Sequence, residues 1–513
     1  MPSQDHPFED ICRSERSLDP CILVIFGASG DLTARKLMPA IYNLKKDGSL
    51  PPHFVCVGFA RRKKTHEEFR NEMREAISKH SRSQPLDKEL YDNFEKEIYY
   101  HASEFDDDEG YASLKKQLAE FDQKHGTKGN RLFYLSTQPT FFPKICEKLK
   151  ASGLLYDENK EKDKWSRVII EKPFGHDLDS AIALQKDLMN HMTETQLWRI
   201  DHYLGKETVQ NILVFRFANS IFENLWNHRY IENIQITVAE SIGIGTRGKF
   251  YEQQGLVRDI MQNHMMQLLC LITMEPPSSL SPKAIHDEKV KVLEAIRPFK
   301  GDDFKKFAIR GQYSEGFVDG EDSKAYRGED NVDAQSNVET FAAVRLFIDN
   351  WRWHNTPIYL RGAKRMPKRS TEIAITFKKP PGILFQSSGS TNHSNVLAIR
   401  IQPDEGISLK TNCKVPGPSS PIQPVKMDFR YASFFGMAPP EAYERLICDC
   451  IFGDNTLFTR QDEVFLSWRF FTPILEHWAK ENLGANAQYK GGSWGPKIAD
   501  DMIKQDGYSW RLI

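Results

Sequence analysis

Short apolar runs alternate with amphipathic segments through the first two hundred residues. The mostly apolar runs are CILVIF (21–26), FVCVGFA (54–60), RLFYLS (131–136), RVIIEKPF (167–174) and QLWRI (196–200). Segments with helical periodicity separate them, at LTARKLMPAIYNLKKDG (32–48), from about Thr65, after Pro139 and over about 177–191. Apolar strands that alternate with helices predict a parallel sheet covered on both faces, a doubly wound α/β domain of the dinucleotide-binding (Rossmann) type.

The pattern changes after about residue 205. A helix is predicted over 206–219, a long strand over 231–241 and a strongly apolar helix over about 255–274. Strands with alternating polarity follow at 338–348, 371–378, 395–403 and 407–415, which is typical of an antiparallel sheet. Segments 275–282 and 415–424, rich in Pro and Ser, are predicted loops, and a last helical region spans about 439–482. We therefore predict a dinucleotide-binding domain over 1–203 and a larger α+β domain with an extended antiparallel sheet over 204–513.

Composition narrows the functional classes. With 69 Lys and Arg against 70 Asp and Glu, the 513-residue chain has a formal net charge of -1 and lacks the basic footprint of a nucleic-acid binder. The N-terminus is polar and acidic, and no apolar run approaches the ~20 residues that span a membrane, so a cytoplasmic protein is expected. The eight cysteines are scattered without a CxxC pair, which indicates reduced thiols and neither a disulfide framework nor a metal site.

A glycine-containing turn, GASGDL (27–32), joins the first strand to the first helix. Gly27 permits a tight turn, and Gly30 permits close approach of a phosphate to the helix N-terminus. The spacing is GxxG and not the full GxGxxG fingerprint, so an ordinary strand-to-helix turn is the alternative interpretation.

The second predicted strand ends in a basic run, GFARRKK (58–64). A site for NAD usually places a carboxylate there to hold the ribose 2′-hydroxyl, whereas Arg61 and its neighbours would attract a 2′-phosphate. The run therefore favours NADP over NAD. A solvated basic turn is the alternative.

Ionisable residues occur at positions where the pattern is otherwise apolar. Glu240 has the parity of the apolar face of its strand, so it needs a partner or a polar pocket unless it is simply the strand's edge. Lys172 follows a parallel strand at the edge where such sheets bind ligands, although an exposed strand-end lysine would give the same pattern. His264 lies in the row formed by Ile260, Leu268 and Leu271.

A histidine in such a row is either a satisfied core residue or a general base at neutral pH. Asp259 stands near the start of the same helix, where the helix dipole favours a carboxylate.

Four segments in this order resemble the glucose-6-phosphate dehydrogenase family: GASGDL (27–32), EKPFG (171–175), RIDHYLGKE (199–207) and RDIMQNHMMQ (258–267). The resemblance extends through RFAN (216–219), YLRGAKRMPKR (359–369), AIRIQP (398–403), EAYERLI (441–447) and WRFFTPIL (468–475). It implies oxidation of glucose 6-phosphate at C1 to 6-phosphoglucono-1,5-lactone with hydride transfer to NADP, the entry step of the oxidative pentose phosphate pathway. It implies no metal, and homodimers or homotetramers.

The resemblance also implies roles for individual residues. His264 is the implied general base for the C1 hydroxyl, Asp201 orients it, and Lys172 lies between sugar and nicotinamide. The implied substrate ligands are His202, Tyr203 and Lys206 for the phosphate, with Glu240, Asp259, Lys364 and Gln402 for the rest of the sugar. The implied cofactor ligands are Gly27, Ala28, Ser29, Gly30, Asp31 and Leu32 for the diphosphate, Arg61 for the 2′-phosphate, and Tyr134 and Lys172.

Some features leave choices open. A second, structural NADP occurs in some family members; Arg400 and Trp510 match that pattern, but Ser370, Ala374 and Trp494 depart from it. A non-catalytic protein that binds NADP or a sugar phosphate would have lost His264, Asp201 or Lys172, and none is lost here. An oxidoreductase that prefers NAD or another hexose is the third hypothesis, against which Arg61 argues.

Overall fold

The computed structural model describes residues 18–381, 393–417, 422–436, 439–484 and 487–513. Its strands are β1 Cys21–Phe26, β2 Phe54–Ala60, β3 Ile98–Ala102, β4 Arg131–Leu135, β5 Ser166–Ile170, β6 Leu197–Ile200, β7 Ile231–Ala239, β8 Ala308–Ser314, β9 Gly316–Val318, β10 Glu321–Ser323, β11 Phe341–Leu346, β12 Ile358–Ala363, β13 Ser370–Phe377, β14 Val396–Gln402, β15 Gly406–Lys414, β16 Ile422–Arg430, β17 Phe458–Thr459 and β18 Gln488–Lys490.

The α-helices of the described residues are Met38–Lys46, His66–His80, Lys88–Phe94, Asp108–His125, Phe142–Ala151, Leu178–Met189, Glu207–Phe217, Ser220–Glu223, Gly248–Leu256, Met266–Thr273, Pro282–Glu294, Asp303–Phe307, Tyr431–Phe435, Ala442–Phe452, Gln461–Ala479 and Lys497–Lys504. Two further segments have the wider π-helical turn, Thr33–Leu37 and Val257–Met265.

The first compact unit contains a seven-stranded sheet with the order β17-β6-β5-β4-β1-β2-β3. Its strands are parallel except β17, which runs antiparallel to β6. Every residue of β1 is fully buried, as expected for a central strand with helices on both faces. The strand order reverses between β1 and β4, and ligands of open α/β sheets bind outside the carboxyl ends of the strands at such a point. The predicted doubly wound fold is confirmed.

The second unit contains a nine-stranded sheet with the order β16-β15-β14-β13-β7-β12-β11-β8-β18. Most neighbours are antiparallel, as predicted, but β7 pairs with β12 in parallel and β18 pairs with β8 in parallel. Strand β7 lies inside the sheet and is buried on both faces. Its polar face is covered by the C-terminal segment, because Gln235 donates to the carbonyl of Ser509 and accepts the backbone N–H of Arg511.

Most predicted elements are present with shifted bounds. The helix predicted from Thr65 begins at His66, with Thr65 and Glu68 forming a reciprocal capping box. The predicted loop at 415–424 is wrong from Ile422 onward, since β16 starts there and pairs with β15. Positions 418–421 lie outside the described residues. The predicted helical region 439–482 is divided, because Gly453 in the left-handed conformation ends its first helix and β17 intervenes.

The contacts divide the chain differently from the single boundary predicted at 203/204. The first unit comprises the described residues up to Gly175, with Asp179–Gly205 and Pro440–Gln461; the second comprises His176–Leu178, Lys206–Pro439 and Asp462–Ile513. Segment 440–461 returns to the first unit because β17 extends its sheet and because the buried Glu444 accepts hydrogen bonds from Asn43 and Arg82. Such pairing over some four hundred residues leaves no local pattern in the sequence.

Two sequence expectations can be compared with the described residues. The cysteines described, Cys21, Cys56, Cys146, Cys270, Cys413, Cys448 and Cys450, are free thiols, while Cys12 lies outside the described residues. None of the helices that the structure describes combines the length and the apolar character needed to cross a membrane.

A buried ionic cluster stabilises the helices of the second unit. Glu463 is fully buried, and its carboxylate lies 2.8 Å from Lys289 Nζ and 2.5 Å from His286 Nδ1. Gln267 donates to the same carboxylate over 3.0 Å. Burial alone would raise the pKa of Glu463, but Lys289 and His286 outweigh burial and lower its pKa to about 2.

We predict that Lys289→Ala lowers the free energy of unfolding by about 3 kcal/mol, because removing one partner leaves an uncompensated buried carboxylate. Chemical denaturation measures the loss. Since the folded-state pKa of Glu463 lies below its unfolded value, the wild-type contribution is present above about pH 4 and is lost as pH falls through about 2. Lys283→Ala on the same helix, whose partner Asp287 forms an exposed pair, is the matched control and should change little. Equal losses would contradict this account.

Candidate functional site

The turn after β1 lies at the point where the order of the first sheet reverses. Gly27 has φ +81°, and a Cβ at this position would lie 2.2 Å from the carbonyl oxygen of Ser136. The N–H of Gly27 donates to Phe59 and the N–H of Gly30 donates to Gly27. Glycine is required at position 27, because it tolerates the positive φ and has no Cβ to collide with Ser136. Of the remaining predicted ligands in the turn, Ala28 is buried, Ser29 and Leu32 are half-buried, and Asp31 is exposed and pairs with Arg35.

Arg61 directly follows β2, where the sequence placed it. Its side chain is exposed, and its Nε lies 3.7 Å from the carboxylate of Glu104, which follows β3. The guanidinium therefore stands at the carboxyl edge of the sheet, on the strand next to the one that precedes the glycine turn, and is open to solvent.

Tyr134 lies in the strand where the sequence predicts it. It is fully buried in β4, and its hydroxyl donates to Glu171 over 2.6 Å. The proposed contact of Tyr134 with the nucleotide stays a prediction. Tyr443 also donates to Glu171, over 3.3 Å. Burial raises the pKa of Glu171, against the opposing effects of Tyr134 and Lys172.

Lys172, Asp201, His202 and Tyr203 gather at one edge of the sheet, because β5 and β6 are parallel neighbours and these residues follow their carboxyl ends. The Lys172–Pro173 peptide is cis. Asp201 is buried and accepts the backbone N–H of Tyr203 over 2.9 Å. The ring of His202 lies nearly parallel to that of Tyr443, with centroids 6.3 Å apart. The sequence gave no role to Glu171 and Tyr443. The position of Glu171 next to Lys172 was the one feature that could have suggested a role for it.

In the second unit a buried lysine holds two carboxylates. Lys364 is 2% exposed, and its Nζ lies 2.5 Å from Glu240 Oε2 and 3.2 Å from Asp259 Oδ2. Burial alone lowers the pKa of Lys364, but Asp259 and Glu240 outweigh burial and raise it. Glu240 follows β7 and Lys364 follows β12, the parallel pair of this sheet, so both side chains start from the same edge. The expectation that Glu240 needs a partner is confirmed.

His264 and Asp259 belong to the π-helical segment Val257–Met265. Because i→i+5 hydrogen bonds widen the turn to more than four residues, side chains five positions apart lie on nearly the same face. An α-helix would turn them well apart. His264 is 2% exposed, in accord with its place in an apolar row.

A second polar pair joins Lys206 and Gln402. Lys206 Nζ donates to Gln402 Oε1 over 2.5 Å, and Gln402 donates to Thr371. Arg369 also donates to Gln402 Oε1, over 3.2 Å. Arg369 was missed by the sequence reading, although it ends the basic stretch KRMPKR (364–369).

Arg400 and Trp510, which match the pattern of a second NADP, and Trp494, which departs from it, all lie in the second unit. The guanidinium of Arg361, 1% exposed, lies 4.5 Å from the ring of Trp510 and 5.4 Å from that of Trp494. Arg400 pairs with Asp428 over 2.7 Å. The two indole rings thus have a cationic partner from the chain itself.

Two family models match the chain. The glucose-6-phosphate dehydrogenase NAD binding domain matches residues 24–211, and the glucose-6-phosphate dehydrogenase C-terminal domain matches residues 213–511. Glucose-6-phosphate 1-dehydrogenase of Chlamydia pneumoniae is 53% identical over 503 residues, 98% of each chain. The protein of the same name from Bacillus subtilis is 45% identical over 95% of this chain and 98% of its own.

Solved structures agree. A glucose-6-phosphate dehydrogenase in complex with its substrate glucose-6-phosphate superposes with a TM-score of 0.87 at 38% identity, covering 96% of this chain and 99% of that chain. Glucose-6-phosphate 1-dehydrogenase from Mycobacterium avium superposes with a TM-score of 0.81 at 32% identity, covering 97% and 99%.

We predict that Lys364→Met lowers the free energy of unfolding by about 2 kcal/mol, because two carboxylates then face each other without their cation. Adding Glu240→Gln to that variant should recover part of the loss by removing one of the two charges. Denaturant titration measures both effects. Lys368→Met, an exposed lysine four residues on, is the matched control. A double variant less stable than Lys364→Met alone would contradict the charge-based account.

Proposed function

The chain belongs to the glucose-6-phosphate dehydrogenase family, and we propose that it oxidises glucose 6-phosphate at C1 to 6-phosphoglucono-1,5-lactone with NADP as hydride acceptor. The reaction is the entry step of the oxidative pentose phosphate pathway. The observation that carries the proposal is the Glu240–Lys364–Asp259 cluster beside the helix of His264, in a chain similar to glucose-6-phosphate 1-dehydrogenases over nearly its whole length.

The chemistry requires removal of a proton from the C1 hydroxyl. His264 is the general base in this proposal, a role typically worth ~10²–10⁴-fold in rate. Asp201 is assigned to orient His264 by the resemblance alone, and this pairing stays a prediction. Glu240 and Asp259 accept hydrogen bonds from sugar hydroxyls, while the Lys364 ammonium holds both carboxylates in place.

The phosphate of the substrate supplies binding energy far from C1. We assign it to Lys206, His202 and Tyr203, with Gln402 as a further sugar contact. Lys206 and Gln402 already touch, which gives the ammonium a fixed starting position. Lys172 is assigned to the space between sugar and nicotinamide, where its position at the carboxyl edge of β5 supports the role.

The residues present fit a bound NADP. The glycine turn, residues 27–32, would hold the diphosphate. Gly27 permits its tight bend, and Gly30 places no side chain between the helix N-terminus and a phosphate. Arg61 would hold the 2′-phosphate. When bound, the nicotinamide accepts the hydride; the protein orients it and excludes water.

Two related proposals concern the cellular location and the oligomeric state of the protein. A homodimer or homotetramer and a cytoplasmic location remain predictions from the resemblance and the composition. The alternative of a non-catalytic sugar-phosphate binder is disfavoured, because the proposed base and its neighbours are all retained.

The function is tested by mixing the purified chain with glucose 6-phosphate and either NADP or NAD, and following absorbance of the reduced nicotinamide. Reduction of NADP that depends on glucose 6-phosphate is expected. Binding of both compounds without reduction would support the non-catalytic alternative.

We predict that His264→Asn lowers kcat by at least ~10²-fold and leaves the KM for glucose 6-phosphate nearly unchanged, because the base acts mainly in the transition state. Steady-state kinetics measures both constants. His354→Asn, an exposed histidine of the same unit, serves as the control. Retained turnover in His264→Asn would contradict the assignment of His264 as the general base.

We predict that Arg61→Ala raises the KM for NADP about tenfold and leaves that for NAD nearly unchanged, since only NADP carries the 2′-phosphate. Arg62→Ala is the control: it removes a neighbouring charge of the same basic run and should change the KM for NADP much less. An equal effect of Arg61→Ala on both cofactors, or an equal effect of both variants on NADP, would count against a specific contact.

A further inference from the structure

Glu339, two residues before β11, contacts the start of the segment that carries Asp259 and His264. Its backbone carbonyl accepts the N–H of Leu256 over 3.1 Å and the hydroxyl of Tyr251 over 3.0 Å. Its carboxylate Oε1 accepts the N–H of Val257 over 3.1 Å. One residue outside the helix thus satisfies two amides that its first turn leaves without an intrahelical partner.

The next residue, Thr340, contacts the other half of the cluster. Its carbonyl accepts the backbone N–H of Lys364 over 2.9 Å. The hydroxyl of Tyr489 lies 2.7 Å from the carbonyl oxygen of Lys364 and 3.1 Å from that of Thr340. The ring of Tyr251, held by Glu339, lies 5.2 Å from the Lys364 ammonium. The dipeptide 339–340 therefore fixes both Lys364 and the helix that carries its partner Asp259.

Gly255 lets the carboxylate reach the helix. It has φ +64° and interrupts the helical conformation near the end of Gly248–Leu256, just before Val257–Met265 begins. A Cβ on Gly255 would lie 2.5 Å from Glu339 Oε1 and 2.8 Å from its Cδ. Any side chain at position 255 would thus displace the carboxylate from the helix start.

The carboxylate is also nine-tenths buried, since Glu339 is 4% exposed. Burial raises the pKa of Glu339, and the Val257 N–H, Arg258 and Arg310 oppose that rise. A helix N-terminus stabilises negative charge, so the contact gives the Val257 N–H an acceptor and gives the buried Glu339 carboxylate a donor.

We propose that Glu339 is a positioning residue for the reaction: it fixes the first turn of Val257–Met265 so that Asp259 meets Lys364 and His264 keeps its place toward the substrate. The inference rests on the proposed function, because it assigns a task in the same site. Glu339 acts through its neighbours and makes no contact with substrate in this proposal.

Glu339→Ala removes the acceptor, and Glu339→Gln keeps an acceptor oxygen of the same shape. We expect the alanine variant to lower kcat roughly tenfold, because small displacements of catalytic groups carry large rate penalties. The KM for NADP should not change, since the proposed cofactor residues belong to the first unit. The glutamine variant should recover most of kcat.

Glu372→Ala is the matched control. Glu372 is also 4% exposed and pairs with Arg511 in the same unit. It should lower the melting temperature without lowering kcat at temperatures where the protein is folded. A purely structural role for Glu339 would give the same behaviour as this control.

Gly255→Ala gives an independent test. Its methyl group displaces the carboxylate, so it should lower kcat much as Glu339→Ala does. In the Glu339→Ala background the methyl group meets no carboxylate and only the strain of an L residue at φ +64° remains, so the further loss should be clearly smaller. Independent, multiplicative losses would overturn the inference.

The wild-type assay distinguishes failure of the proposed function from failure of the role proposed for Glu339. An inactive wild type would defeat the proposed function. An active wild type with unchanged kcat in folded Glu339→Ala, or a glutamine variant no better than alanine, would overturn only the role of Glu339. If the alanine variant does not fold, Gly255→Ala decides: unchanged kcat in that folded variant overturns the inference.

Discussion

A buried ammonium that neutralises two carboxylates is the interaction on which the site of the second unit depends. Lys364 is almost wholly removed from water, and a charge in that position is tolerated only with partners of opposite sign. Glu240 and Asp259 supply them, and they keep the lysine charged although burial disfavours charge. The buried ammonium would be costly alone, whereas both carboxylates keep some access to water, so the cluster chiefly stabilises the lysine.

The backbone explains why the three groups meet. In a mostly antiparallel sheet, successive strands end at opposite edges, whereas a parallel pair ends at the same edge. Strands β7 and β12 form such a pair, so Glu240 and Lys364 leave the sheet together. The same principle gathers Lys172 with Asp201 in the first unit, where β5 and β6 are parallel neighbours. Both units thus present their chemical groups at strand ends, and side chains on rigid strands need little reorganisation when a ligand binds.

The helical side of the second site needs its own support. Asp259 and His264 share a face because Val257–Met265 has wide turns, which are a less common backbone and need anchoring. Glu339 provides contacts at the start of that segment, and Gly255 leaves room for them. Further along, the buried Glu463 holds Gln267 just after the segment ends. The stretch that carries the proposed base is therefore held by buried carboxylates on either side.

The sequence by itself determined the fold classes, the glycine turn, the basic residue after β2, and the candidates His264, Glu240 and Asp259, because period, polarity and turn chemistry are local. It missed β16 and the return of segment 440–461, and it did not reveal that the hydroxyl of Tyr134 donates to Glu171. It also gave Glu171, Glu339, Arg369 and Tyr443 no role. Those outcomes depend on which strands become neighbours and on which polar groups lose water together. Only the tertiary structure decides them, since hydrogen bonds and desolvation act between residues that can be hundreds of positions apart in the chain.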